Sequence, residues 1–212
     1  LVVVGSAVLS VALFYVIGKA LWGPGNSDVQ LAIRALGVTA ILLLHVVLAI
    51  GPLARLDARF LPILFNRRHL GVTMFLVALA HAALATLFYH AGGVVNPLVS
   101  VLAGGPGGGG PGFEVFGAAA LLILFLMAAT SHDFWLKNLG ASVWKALHML
   151  VYVAYALLVL HIALGAMRSE GNSLYPAVVG LGAIGLTSLH LLAGRREASR
   201  DASARPAASV DK

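Results

Sequence analysis

Six apolar runs of about 20 residues constrain this chain more than any other feature; they lie near 1–22, 31–50, 69–89, 113–131, 145–167 and 174–193. At about 1.5 Å of rise per residue, a helix of that length crosses the roughly 30 Å hydrocarbon core of a bilayer. Within lipid a helix also satisfies its own backbone hydrogen bonds, which an open strand does not. The runs are separated by helix terminators: Gly23-Pro24-Gly25-Asn26, Gly51-Pro52, a Gly-rich stretch at 104–112 and Gly171-Asn172-Ser173. Composition agrees, with 60% hydrophobic residues, 10% charged and a mean hydropathy of +0.95, where a soluble domain carries about a quarter charged. The expected fold is an all-α integral membrane protein, a six-helix bundle over residues 1–193. The tail, 194–212, is Ala, Ser, Arg and Asp without apolar periodicity and is expected to be disordered.

The chain opens at Leu1 inside an apolar stretch with no initiator Met, so preceding sequence is expected to be missing. The run to Trp22 is too long for a cleaved signal and reads as a retained helix. Eleven of the fourteen Lys and Arg fall on one face if the runs alternate in direction: Arg55, Arg59, Arg67, Arg68, Lys137, Lys145, Arg195, Arg196, Arg200, Arg205 and Lys212. Lys19, Arg34 and Arg168 fall on the other. The positive-inside rule makes the basic face cytoplasmic and places both termini there. The net charge of +6 is therefore headgroup anchoring, and nucleic-acid binding is excluded as its explanation. The Gly-rich loop has no Lys-Ser/Thr after it and no strand before it, so it reads as an external linker rather than a phosphate cradle.

There is no Cys, which rules out disulfides, thiolate metal sites, iron–sulfur clusters and covalent c-type haem attachment. The eight His are the informative polar residues, because ionisable groups at membrane depth are costly and usually functional. His90, His132 and His190 fall at helix ends and read as interfacial. His148 and His161 share the fifth run, thirteen residues or roughly 20 Å apart, and would face one interior only if that helix bends or unwinds. His81 lies roughly 20 Å from the basic face and His161 roughly 24 Å, on helices running the same way. Those two imidazoles can meet at one depth, as axial ligation of a single iron requires. His148 belongs to the basic end, where His45 and His69 are its candidate partners: depth favours the first, position on the third helix the second. Arg67 and Arg68 are candidates for haem propionates as well as for membrane anchoring. Trp135 and Trp144 read as interfacial belt aromatics.

The run Gly51-Pro52-Leu53-Ala54-Arg55, then Arg67-Arg68-His69-Leu70-Gly71 leading to His81, resembles the haem-binding membrane subunits of the periplasmic methionine sulfoxide reductase system. So does Trp144-Lys145-Ala146-Leu147-His148-Met149-Leu150-Val151-Tyr152 followed by His161. These belong to the ferric-reductase-like transmembrane superfamily. The resemblance implies one or two b-type haems with His81, His148 and His161 as ligand positions, and a bacterial inner-membrane location. It also implies electron entry from quinol or a partner-borne flavin, and delivery to a periplasmic-side redox partner. His45 and His69 depart from the sulfoxide-reductase pattern and mark a second haem on the basic face. The chain ends shortly after its last run, so a nucleotide-fed flavin domain of the larger ferric reductases is expected on a partner. A haem-free membrane anchor, whose His residues only join helices, is the rival reading. A proton-coupled transporter ranks last, because the interiors of the runs hold no Asp or Glu and no internal repeat is evident.

Overall fold

Ser27 and Gln30 start the central helix by mutual capping: the Ser27 hydroxyl accepts from the Gln30 N–H, and the Gln30 side chain accepts from the Ser27 N–H. In the computed structural model, which describes residues 2–103, 112–170 and 174–204, the helices are α1 (Val2–Trp22), α2 (Asp28–Leu56), α3 (Leu61–His90), α4 (Pro97–Ala103), α5 (Glu114–Ala129), α6 (Asp133–Leu139), α7 (Ala141–Met149), α8 (Val151–Leu164), α9 (Ala166–Glu170) and α10 (Leu174–Ala204). Most of the Gly-rich linker, 104–111, lies outside the described residues.

Five segments are long and apolar enough to cross a membrane: α1, α2, α3, the stretch Ala141–Arg168 that contains α7 and α8, and α10. The count reaches six if α5 is joined to α6, from which it is bent by 92°. Helix α5 has only 16 residues, about 24 Å of rise, so it is the shortest crossing of the set.

Helix α2 is the hub. Half of its apolar window is buried, against 6% for α1, and it packs on α1, α3 and α10, while α5 packs on α8 and α3. Ile41, Leu44 and Leu48 of α2, Met74 and Phe75 of α3, Ala120 and Leu124 of α5 and Val151 and Ala154 of α8 form the shared core. Outward-facing residues such as Leu9, Leu122, Leu181 and Ile184 are exposed, as lipid contact requires of an apolar face.

Three boundaries differ from the sequence reading. Gly51-Pro52 does not end the second helix: Pro52 sits in the last turns of α2, which runs on to Leu56. A proline removes one backbone donor, a loss a helix end tolerates far better than its middle. The third helix begins at Leu61, with Pro62 in its first turn, so Arg67, Arg68 and His69 lie inside α3 rather than at its start. The expected disordered tail is helical as far as Ala204. Residues 194–204 are mostly Ala, Arg, Glu and Ser, which sustain a helix without an apolar face. The segment is also tied to α2: Arg196 donates to the Leu56 carbonyl and Arg55 pairs with Glu197 at 3.2 Å. Residues 205–212 lie outside the described part.

These ties sort the helix ends as the charge pattern does. Arg55–Glu197 and Arg68–Asp133 gather at the basic face, and Lys19–Asp28 closes the turn between α1 and α2 at the far face.

Candidate functional site

His81 on α3 and His161 on α8 come together, their ring centroids 6.5 Å apart and their planes nearly perpendicular at 85°. Residue counting placed them at one depth; packing of α3 and α8 around α5 brings the two rings together edge-on. Nδ1 of His81 donates to the Ile33 carbonyl of α2 at 2.8 Å, and Nδ1 of His161 donates to the Phe113 carbonyl at the start of α5 at 2.9 Å. A carbonyl only accepts, so each Nδ1 carries the proton and each Nε2 keeps its lone pair.

That arrangement fits a shared iron. Two imidazoles on opposite sides of one metal, through bonds of about 2 Å, hold their centroids roughly 6 Å apart. The Nδ1–H bond to a carbonyl is the usual outer support that orients a ligating His. Among the described residues no group of three or more His, Cys, Asp or Glu gathers to hold a bare metal ion.

His148 lies at the other end of the same span. Its ring stacks on Trp144, centroids 3.8 Å apart, and its Nδ1 donates to the Trp144 carbonyl. Its Nε2 is buried without a partner, an unsatisfied acceptor of the kind that native structures rarely leave. A local break lies between His148 and His161, where a bend or local unwinding was expected: α7 stops at Met149, α8 starts at Val151, and Leu150 N–H bonds the Leu147 carbonyl three residues back. Trp144 is more than an interfacial aromatic, since its Nε1 donates to the Thr130 carbonyl at the end of α5.

Neither proposed partner of His148 is in ring contact with it among the described residues. The Nε2 of His45 is 2.9 Å from the Tyr155 hydroxyl, and its ring lies against Gly182 of α10. His69 is exposed on α3. Arg67 and Arg68 of that helix act electrostatically on His148. The Arg67 guanidinium lies beside Gly51. Arg68 pairs with Asp133 at 2.6 Å and holds that carboxyl below the usual carboxylate range, a role besides propionate binding that the sequence did not suggest.

The remaining His are structural contacts. His90 is buried and its Nδ1 meets the Ser100 hydroxyl of α4; His132 caps α6 by accepting from the Phe134 N–H. His190 bonds the Tyr152 hydroxyl at 2.9 Å. Tyr152 and Tyr155 thus present two hydroxyls from one face of α8 to His190 and His45, beside a groove of about 360 Å³ lined by Leu48, Ala183, Leu186 and Thr187. Sequence reasoning missed both tyrosines, because a Tyr in an apolar run carries no spacing signal for its partner.

The family model for a ferric reductase like transmembrane component matches residues 36–159. The chain belongs to this family. The match takes in His45, His69, His81 and His148 and stops two residues short of His161. The protein-methionine-sulfoxide reductase heme-binding subunit MsrQ of Caulobacter vibrioides is 30% identical over 179 residues, covering 83% of this chain and 79% of that subunit. The subunit of the same name from Herminiimonas arsenicoxydans is 32% identical over 137 residues, 65% of this chain and 59% of that protein. Magnetosome protein MamZ of Magnetospirillum gryphiswaldense is 40% identical over 68 residues, 32% of this chain and 10% of that protein. The chain therefore spans less than two thirds of the last two relatives. No solved structure matches it.

Proposed function

We propose that this chain is a b-type haem electron-transfer subunit of a bacterial inner-membrane oxidoreductase, with six spans and both termini in the cytoplasm. The observation that carries the reading is the His81–His161 pair, two imidazoles 6.5 Å apart with both Nδ1 protons committed to backbone carbonyls. A haem bound between them would supply reversible one-electron exchange. His81 and His161 would hold the iron, with the Ile33 and Phe113 carbonyls fixing their tautomers.

A second haem belongs at the basic face on His148, whose buried Nε2 has no other partner. His69 is the better second ligand, because Arg67 and Arg68 beside it act on His148, whereas Nε2 of His45 is held by the Tyr155 hydroxyl and only its buried Nδ1 is without a partner. Arg67 is the propionate partner there, with Arg68 shared between that role and Asp133. Two sites set apart along the α7–α8 span would carry electrons from a cytoplasmic-side donor to a periplasmic-side redox partner. Quinol is favoured over a partner-borne flavin as donor, since the groove is apolar with the Tyr152–His190 pair and Tyr155 at its wall. The MsrQ relatives are named as haem-binding subunits of a methionine sulfoxide reductase, which supports a reductase partner of that kind.

A reduced-minus-oxidised absorption spectrum of the purified chain tests the proposal. A b-type α band and a shifted Soret band are expected. A chain without either, after haem supplementation during expression, is a haem-free anchor instead.

A further inference from the structure

His81 and His161 are seated alike on two different helices. Their Nδ1 protons go to the carbonyls of Ile33 and Phe113, and four residues beyond each acceptor stands a glycine, Gly37 in α2 and Gly117 in α5. In a helix the side chain at i+4 leans back over the carbonyl of residue i. A glycine there leaves that carbonyl uncovered, so its second lone pair is free for a donor from a neighbouring helix. The fit is tight. A Cβ built at Gly37 would lie 3.1 Å from both Nδ1 and Cε1 of His81, and one built at Gly117 would lie 2.8 Å from Nδ1 and 2.9 Å from Cε1 of His161. Each ring therefore rests its Nδ1–Cε1 edge where a side chain would otherwise be.

The other intramembrane histidines do not repeat the pattern. His45 also rests on a glycine, Gly182, but its Nε2 is taken by Tyr155. His148 bonds a carbonyl of its own helix, four residues back. The combination of glycine and opened carbonyl is confined, among these four, to the pair that faces across one gap.

We propose that Gly37 and Gly117 are the positioning residues of this imidazole pair: each uncovers one carbonyl, fixes its partner ring as the Nδ1-protonated tautomer and leaves Nε2 as the donor to iron. Only the last clause rests on the haem reading. The seating itself is a property of the polypeptide.

The full chain, labelled with ¹⁵N-histidine, produced under haem limitation and placed in nanodiscs, is expected to show Nδ1–H and a bare Nε2 for both residues. The signals are assigned by their loss in His81→Ala and His161→Ala. An Nε2–H tautomer at either residue overturns the proposal whatever the variants do. In haem-loaded protein, Gly117→Ala is expected to weaken haem retention by about tenfold or more, the usual effect of disturbing an outer support, and to change the low-spin ferric resonance. Gly37→Ala should act in the same direction but less, because its contact is looser. Gly71→Ala on α3, whose Cβ meets nothing within 4 Å, is expected to leave both readouts unchanged. Wild-type retention and resonance in Gly117→Ala would remove the positioning role. A chain that takes up no haem yet shows both Nδ1–H tautomers supports the seating while eliminating the haem reading, so the two failures are separable.

Discussion

At the scale of single residues, the imidazole pair was legible in the sequence because depth is only residue counting: His81 and His161 stand at similar distances from a basic face marked by Arg68 and Lys145. What holds them was not legible. Ile33 and Phe113 contribute backbone carbonyls, which have no residue-type signature, and Gly37 and Gly117 look like ordinary small residues in apolar runs. Likewise nothing in the spacing separated His45 from His69 as partners of His148. Their difference lies in their surroundings: His45 reaches from α2 to Tyr155 of α8 and Gly182 of α10, while His69 is exposed on α3. Replacing His45 with Leu is therefore expected to leave haem content unchanged, whereas His148→Leu removes the basic-face haem. Haem-to-protein ratios of the two variants check this, and a lost equivalent in His45→Leu would return that residue to the ligand set. Trp144→Leu takes away the ring on which His148 stacks, so it should lower the same haem's occupancy while leaving the His81–His161 haem intact; equal loss of both would argue for a general packing role.

At the scale of helices, apolar length found the spans while end effects escaped it. Gly51 and Pro52 read as a stop, but a proline near a helix end costs little, and α2 continues to Leu56. The polar composition after Gly194 read as disorder, but the segment as far as Ala204 has good helix formers and a docking partner. That docking contributes little energy. Arg55 and Glu197 are 41% and 48% exposed, and exposed pairs are typically worth 0–1 kcal/mol. Glu197→Gln is expected to shift stability by less than about 1 kcal/mol, read as a change of at most a few degrees in thermal unfolding in detergent. A larger drop would mean that the end of α10 is an organising element rather than an extension. The break at Leu150 was foreseen in kind, because thirteen regular helical steps would turn His148 and His161 to different faces; its place was not, since Leu150 has no breaker chemistry.

For the molecule as a whole, the charge asymmetry predicts that both termini are cytoplasmic, and the Arg55–Glu197 and Arg68–Asp133 ties involve arginines that the charge pattern assigns to one face. A reporter fused after Lys212 is expected to be active in the cytoplasm and silent in the periplasm; the reverse would invert the direction of electron flow. The central claim concerns what the bundle holds. The pyridine haemochrome assay, expressed as haem per chain for the wild type, His81→Ala and His161→Ala after full loading, tests it most directly. Two equivalents are predicted in the wild type and one in each variant, with all three proteins inserted to the same level, because the apolar length of each span is untouched. Haem content unaffected by either substitution, or no haem in the wild type, would contradict the assignment of His81 and His161 as the ligands of a transmembrane electron carrier.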